Sequence, residues 1–340
     1  MITLKEIAEI AGVSIATVSN AIHGKMDEVS PATAEKIQKI VEEYQYIPNI
    51  SARNLASNRS KIIGVVLRSY YGQKNNRFQD SFISELLGSI EKYARERGYY
   101  VMVYTAHDIQ KLRNYIMSWN MDGLIMVGFI DGEIYSIQAA YKRPMAIIDV
   151  YDYFDVENCI SIGLEDREGM YNIIQYILSC GHKKIAFVSD KDKNVDHERY
   201  LGYQRAMCKA GIEVGKMDFI RVIPTNENKI ANMDEIYQRS FEYTALACVS
   251  DHYAALILNE LQDRGRKVPE DISITGFDDS DEAQIVRPAL TTVRQNIAEK
   301  GKMAVEKLCD MIEDPEKREY KNITFTTELV VRNSVKKMNG

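Results

Sequence analysis

Near its N-terminus the chain reads Thr3-Leu-Lys-Glu-Ile-Ala-Glu-Ile-Ala-Gly-Val-Ser-Ile-Ala-Thr-Val-Ser-Asn20, and no other stretch constrains the architecture as tightly. Thr3 and Glu6 have the spacing of a capping box, in which the hydroxyl accepts from an early helical N–H and the carboxylate reaches back to the N–H of the cap residue. A helix therefore starts at Leu4. Leu4, Ile7, Ala8 and Ala11 recur on one helical face, and Gly12 suits the left-handed conformation that ends a helix. Ser14 is a second N-cap. The spacing predicts a second helix over 15–22, with Val18 turned inward and Ala21 and Ile22 beside it, so two short helices flank a tight turn.

Working outward, Ser30-Pro31 is a cap followed by proline at the first helical position, where its missing N–H costs little. This predicts a third helix to about Tyr44, then a stop at Pro48 and a further turn or two over 49–57. From Lys61 the texture changes to short apolar runs alternating with amphipathic segments. Strands are expected at 62–67, 99–104, 123–127 and 145–149, with helices at 82–97, 109–119 and 133–141 between them. A second series follows, with strands at 160–162, 184–189, 219–223, 246–249 and 272–275 and helices at 168–180, 198–210, 230–241 and 252–264. Repeated strand–helix units imply parallel sheets with helices on both faces. This many strands needs two sheets, with the tail, a helix over 297–312 and a strand over 323–331, crossing between them. Ligands in such folds gather at the carboxyl ends of the strands, so the cleft between two lobes is the expected pocket.

Composition narrows the function. The chain has 340 residues, 45% hydrophobic and 27% charged, which fits two or three globular domains and excludes wholesale disorder. No apolar run reaches the roughly 18 residues of a membrane helix, and the first residues lack the basic flank and apolar core of a secretory signal, so a cytoplasmic protein with no membrane partner is expected. Five scattered cysteines form neither a disulfide framework nor a zinc motif, and neither a metal nor a cofactor is expected. Glycine-rich nucleotide loops, a nucleophile elbow and zinc-protease motifs do not occur, which argues against an enzyme. Net charge is −6, so any nucleic-acid binding must be local.

The residues resemble one family throughout their length, the LacI/GalR-type bacterial transcriptional regulators. The N-terminal stretch quoted above carries the resemblance, with Val29-Ser-Pro and Tyr46-Ile-Pro-Asn-Ile-Ser-Ala-Arg-Asn-Leu-Ala56 behind it. A second signature, Val268-Pro-Glu-Asp-Ile-Ser-Ile-Thr-Gly-Phe-Asp-Asp279, is followed by Pro288-Ala-Leu-Thr-Thr-Val-Arg-Gln295. The resemblance implies an α/β protein with an N-terminal helix-turn-helix DNA-binding headpiece over 1–46, a hinge helix over 47–60, and a two-lobed, periplasmic-binding-protein-like core over 61–340. Lobe 1 is expected at about 61–160 and 292–322, and lobe 2 at about 161–291 and 323–340. It implies a homodimeric repressor on double-stranded operator DNA, controlled by a small, sugar-like effector. The rival reading, a periplasmic-type binding protein, shares the fold but would need an export signal and no headpiece. No leucine heptad follows Val331, so no coiled-coil tetramer is expected.

Specific residues carry over. In a helix-turn-helix the second helix enters the major groove, which here presents Ile15, Ala16 and Asn20 to base edges and Ser14, Thr17 and Ser19 to phosphates. An Asn pairs bidentately with adenine, whereas many relatives carry a basic or imidazole side chain there. Leu55 matches the leucine that wedges into the central base step, Ala52 permits close approach of paired hinge helices, and Arg53 reaches phosphates. In the cleft, Arg199, Asp278, Asp149, Ser250, Asp251 and Gln295 are the expected effector residues, with Tyr70 and Phe78 as stacking aromatics. Residues 1–61 hold seven basic and seven acidic side chains. Phosphate neutralisation supplies most non-specific affinity, so weak non-specific binding and reliance on dimerisation are expected.

Overall fold

A computed structural model of the chain describes residues 2–22, 26–46, 59–69, 77–151, 157–225, 227, 229–314 and 322–338. Two compact units emerge, Met1–Ser60 and Lys61–Gly340.

The first unit is helical. Helices α1 (Leu4–Ala11), α2 (Ile15–Ile22) and α3 (Pro31–Glu43) are joined by short turns, with a 3₁₀ turn at Met26–Glu28. The capping box forms as the residues require, with Thr3 N donating to Glu6 Oε2 at 2.8 Å and Glu6 N to Thr3 Oγ1 at 3.3 Å. Gly12 ends α1 at φ 71°, a conformation that costs a β-carbon-bearing residue steric energy. Ile7, Ala8 and Ala11 of α1, Val18 of α2, and Ile37 and Ile40 of α3 converge in one core. Lys36 Nζ donates to the carbonyl of Ala11 at 2.8 Å, which satisfies an end carbonyl of α1. Residues 47–58, and with them the expected hinge helix, lie outside the described residues.

The second unit contains two parallel sheets. The first has six strands in the order β11 (Ile323–Phe325), β5 (Cys159–Leu164), β4 (Met145–Ile148), β3 (Gly123–Val127), β1 (Ile62–Arg68) and β2 (Tyr100–Ala106). The second has four, β7 (Phe219–Arg221), β6 (Ile185–Ser189), β8 (Ala245–Cys248) and β9 (Ser273–Thr275). Helices α4 (Ser81–Glu96), α5 (Ile109–Ser118) and α6 (Asp131–Ala140) serve the first sheet. Helices α7 (Asp166–Ser179), α8 (Asn194–Lys209), α9 (Met233–Arg239), α10 (Asp251–Asp263) and α11 (Asp281–Ile285) serve the second, and α12 (Ile297–Glu313) returns to pack on α4. Each sheet is buried on both faces, which explains strands that read as continuous apolar runs. In β1, Ile63, Val65 and Leu67 enter the core shared with α4 and α12, while Val66 enters the core on the opposite face.

The structure corrects the lobe boundaries. The expected boundary at about 160 cuts through the run at 160–162, yet the whole of β5 belongs to the first sheet, pairing with β4 in the register Met145↔Cys159. The expected strand over 323–331 splits: β11 pairs with β5 through Thr324↔Gly163, whereas β12 (Glu328–Val330) pairs antiparallel with β10 (Thr292–Arg294). Lobe 1 thus takes 161–164 and 323–325 from lobe 2. A short apolar run declares a strand but not the sheet it joins, because partner choice is a long-range decision.

Candidate functional site

In the first unit, α2 exposes the residues expected to meet DNA. Ser14 caps the helix, its Oγ accepting from Thr17 N at 3.0 Å and sitting 2.9 Å from Thr17 Oγ1, so both hydroxyls are already engaged. Ile15 is 49% exposed and Ala16 is exposed beside it, an apolar pair with no core to serve. Thr17, Ser19 and Asn20 are half-buried, and Val18 is fully buried in the core. Asn20 Nδ2 donates to Glu28 Oε2 at 2.6 Å, a pairing absent from the sequence reading. Ala52, Arg53 and Leu55 lie outside the described residues, as does Tyr70.

In the second unit a cavity of about 810 Å³ opens between the two sheets. Five of the expected effector residues line it: Asp149, Arg199, Ser250, Asp278 and Gln295. Their elements bring them there by one rule. Asp149 follows β4, Ser250 follows β8 and caps α10, and Asp278 follows β9, so each leaves the carboxyl end of a strand. Arg199 lies in the second turn of α8, on the same stripe as the buried Gly202, Tyr203 and Ala206. The close approach of α8 to α7 depends on Gly202, where a Cβ would sit 2.2 Å from the carbonyl oxygen of Arg167.

Two expected residues fall elsewhere. Asp251 is fully buried and not part of the lining; its carboxylate accepts from Ser280 N at 2.9 Å and Thr292 Oγ1 at 2.6 Å, so it fastens the loop after β9 to β10. Phe78 is 51% exposed in the turn Arg77–Gln79 and does not line the cavity, whereas Phe82, one helical turn later in α4, does. Helix α4 presents one face to the cleft, and Phe78 precedes that face.

The lining residues are parts of one charged chain across the cleft. Lys300 Nζ donates to Asp149 Oδ1 at 2.8 Å, Asp149 Oδ2 at 3.0 Å and Gln295 Oε1 at 3.0 Å. Gln295 Nε2 donates to Asp278 Oδ1 at 2.6 Å, and the same oxygen lies 3.4 Å from Arg199 Nη2. Arg199 Nε donates to Asp166 Oδ1 at 2.6 Å and Nη1 to the carbonyl of Val249 at 2.6 Å, while its guanidinium carbon sits 3.6 Å from the centre of the Phe277 ring. Tyr151 donates its hydroxyl to the other oxygen of Asp166. Buried charges persist only when paired, and Lys300 with Asp149, and Arg199 with Asp166 and Asp278, each have a partner of opposite sign. Burial pushes the Asp278 carboxyl up to about 7, against the pull of Arg199 and the Gln295 amide. Asp149 is likewise raised by burial, with Lys300 opposing.

A second group lines the outer cleft. Ser189 Oγ donates to Asp196 Oδ2 at 2.6 Å, and Lys191 Nζ stands 3.8 Å from Asp196 Oδ1. Across the cleft Ser81 Oγ, from α4, donates to Glu282 of α11 at 2.9 Å, a direct bond between lobes. Lys300, Asp166 and Asp196 were missed from sequence, although a signal existed. Lys300 falls between Ile297 and Ala304 on the buried stripe of α12, and Asp166 and Asp196 fall on the buried stripes of α7 and α8. Among the described residues no cluster of metal-ligating side chains forms.

A three-helix DNA-reading headpiece ahead of a two-lobed ligand-binding core defines a class of regulators, and comparison with known proteins specifies it. Residues 3–49 match the lacI family of bacterial regulatory proteins, and residues 174–335 a periplasmic binding protein-like domain. The chain is 32% identical to the HTH-type transcriptional repressor PurR of Vibrio campbellii, over 100% of both chains. It is 29% identical to the ribose operon repressor of Haemophilus influenzae, over 98% of this chain and 99% of that one. Of solved structures, a transcriptional regulator CelR–cellobiose complex is 26% identical, with TM-score 0.72 over 98% of this chain and 100% of that one. The lac repressor dimer bound to operator and an anti-inducer superposes with TM-score 0.85, over 98% and 99% of the chains, at 23% identity. The chain belongs to the LacI family of bacterial transcriptional regulators, with the family's helix-turn-helix headpiece and periplasmic-binding-like core. No helix among the described residues is long and apolar enough to cross a membrane.

Proposed function

We propose that this protein is a cytoplasmic, homodimeric repressor that binds operator DNA through α2 and takes a small polyhydroxylated effector in the cleft. It acts by binding, not by catalysis. Ile15 and Ala16 make apolar contact with thymine methyls, Asn20 reads a base edge, and Ser14, Thr17 and Ser19 face phosphates. Ala52, Arg53 and Leu55 complete the contact from the hinge, with Leu55 wedged into the minor groove.

The observation that carries the effector reading is the convergence of Arg199, Asp278, Gln295 and Asp149 on one cavity. Their partners leave donors on Arg199 and an acceptor on Asp278 for a ligand, a mixed set that suits adjacent hydroxyls better than a purely cationic or apolar molecule. A cellobiose complex and a ribose operon repressor among the relatives favour a sugar. Arg199 and Asp278 belong to the second lobe and Asp149 to the first, so a ligand touching both biases the angle between lobes by its differential affinity for the two states. The test is a thermal-unfolding screen against sugars, sugar phosphates, purines and nucleosides, since a cleft ligand stabilises by mass action. A sugar hit that Asp278→Ala abolishes is the expected result. Hits confined to purines or nucleosides would overturn the effector class.

A further inference from the structure

The contact between Asn20 and Glu28 is unexplained by the fold. Both side chains are polar, Glu28 is exposed, and neither serves the headpiece core, which is built from α1, Val18 and α3. Yet the 3₁₀ turn Met26–Glu28 packs against α2, and Glu28 reaches back eight residues to hold Asn20 Nδ2 at 2.6 Å.

We propose that Glu28 is a positioning residue for base recognition, which fixes the Asn20 amide so that it reads adenine and disfavours guanine. The inference rests on the proposed role of α2 in the major groove. A carboxylate only accepts hydrogen bonds, so the amide end facing Glu28 is the NH₂ end. That leaves Asn20 Oδ1 and the second N–H of Nδ2 as one donor–acceptor edge, the complement of adenine N6 and N7. Without Glu28 the amide rotates freely and its two ends exchange. Guanine offers only acceptors in the major groove, O6 and N7, and the Glu28 carboxylate beside them is repulsive. The same charge opposes nearby phosphates, so Glu28 lowers overall affinity while raising discrimination at one base pair.

The test uses the full-length protein and randomised duplex DNA. Wild-type, Glu28→Ala, Glu28→Gln and Asn20→Ala proteins select binding sites in parallel, and relative affinities for single-pair variants of the wild-type site are then measured. The wild-type site is expected to carry adenine at one position per half-site. Glu28→Ala should reduce discrimination at that pair roughly tenfold, leave the other positions unchanged and bind more tightly overall. Glu28→Gln keeps an acceptor for Asn20 without the charge, so it should retain preference for adenine over thymine and cytosine while losing part of the discrimination against guanine. In the Asn20→Ala background, Glu28→Ala should no longer change the preference for adenine over thymine and cytosine at that pair, leaving only its effect on guanine. A Glu28→Ala profile identical to wild type, or an even loss at every position, overturns the inference while leaving α2 as the reading helix. Failure of the wild-type protein to select any site overturns the reading on which it rests.

Discussion

Lys300 is the residue on which the cleft floor turns. Its ammonium is fully buried and divided between both Asp149 oxygens and Gln295 Oε1, so it opposes the upward push of burial on the Asp149 carboxyl and dictates which end of the Gln295 amide faces Asp278. Removing one partner of a buried pair strands the other. Lys300→Met, close in volume, should destabilise the protein by about 3–5 kcal/mol in urea unfolding. The double variant Asp149→Asn/Lys300→Met should recover much of that loss. Asp278 makes a second prediction, in pH. Its carboxyl holds its proton up to about 7 in the folded protein because burial disfavours the charged form. A raised carboxyl contributes stability that is fully present below the unfolded value, about 4, and lost as pH rises through the folded one. The melting temperature of wild type relative to Asp278→Asn should therefore fall between pH 5 and pH 8; a difference independent of pH would show that Asp278 titrates in its ordinary range. Sequence made Arg199, Asp278, Asp149, Ser250 and Gln295 legible through strand ends and family motifs. Lys300 and Asp166 stayed hidden because a charge on an apolar stripe is ordinarily taken as a helix end or a solvated side chain, and its buried partner lies far away in the chain.

At the scale of elements, the packing of α8 on α7 sets where Arg199 stands. Gly202, one turn beyond Arg199, meets backbone atoms of α7, so a methyl there has no flexible side chain to displace. Gly202→Ala should push the two helices apart and cost about 1–3 kcal/mol of stability. The same substitution at Gly211, where nothing lies within 4 Å but φ is +71°, tests backbone strain alone. Unfolding of Gly202→Ala at the wild-type midpoint would mean that the helix contact is soft. The alternation of strands and helices was readable along the whole core because periodicity is a local property. The sheet membership of β5 and β11 was not, since partner choice is a long-range decision and both strands sit where the chain passes from one lobe to the other. Phe78 was misplaced for a related reason: the offset between a turn and the helix behind it decides which aromatic faces the cleft, and that offset is set by the Asp80 cap of α4, whose Oδ1 accepts from Phe82 N at 3.1 Å.

At the scale of the molecule, residues 1–61 balance seven basic against seven acidic side chains, and the two lobes of the core share one network of bonds. A DNA-binding segment without net positive charge gains little from phosphates alone, so on the proposed function operator affinity depends on both copies of α2 being held at the spacing of two half-sites. On the proposed function, a ligand that joins the cleft chain from Asp149 through Lys300, Gln295 and Asp278 to Arg199 shifts the angle between lobes and, through it, that spacing. Coupling of this kind is reciprocal, so a ligand that changes operator affinity must itself bind differently when operator is present. The most direct measurement is fluorescence anisotropy of a labelled, selected operator titrated with wild-type and Arg199→Ala protein, with and without a saturating sugar found by thermal stabilisation. Wild-type affinity should change by about fivefold or more on adding the sugar, while Arg199→Ala binds operator like wild type and does not respond. A sugar that occupies the wild-type cleft and leaves operator affinity unchanged would contradict the account.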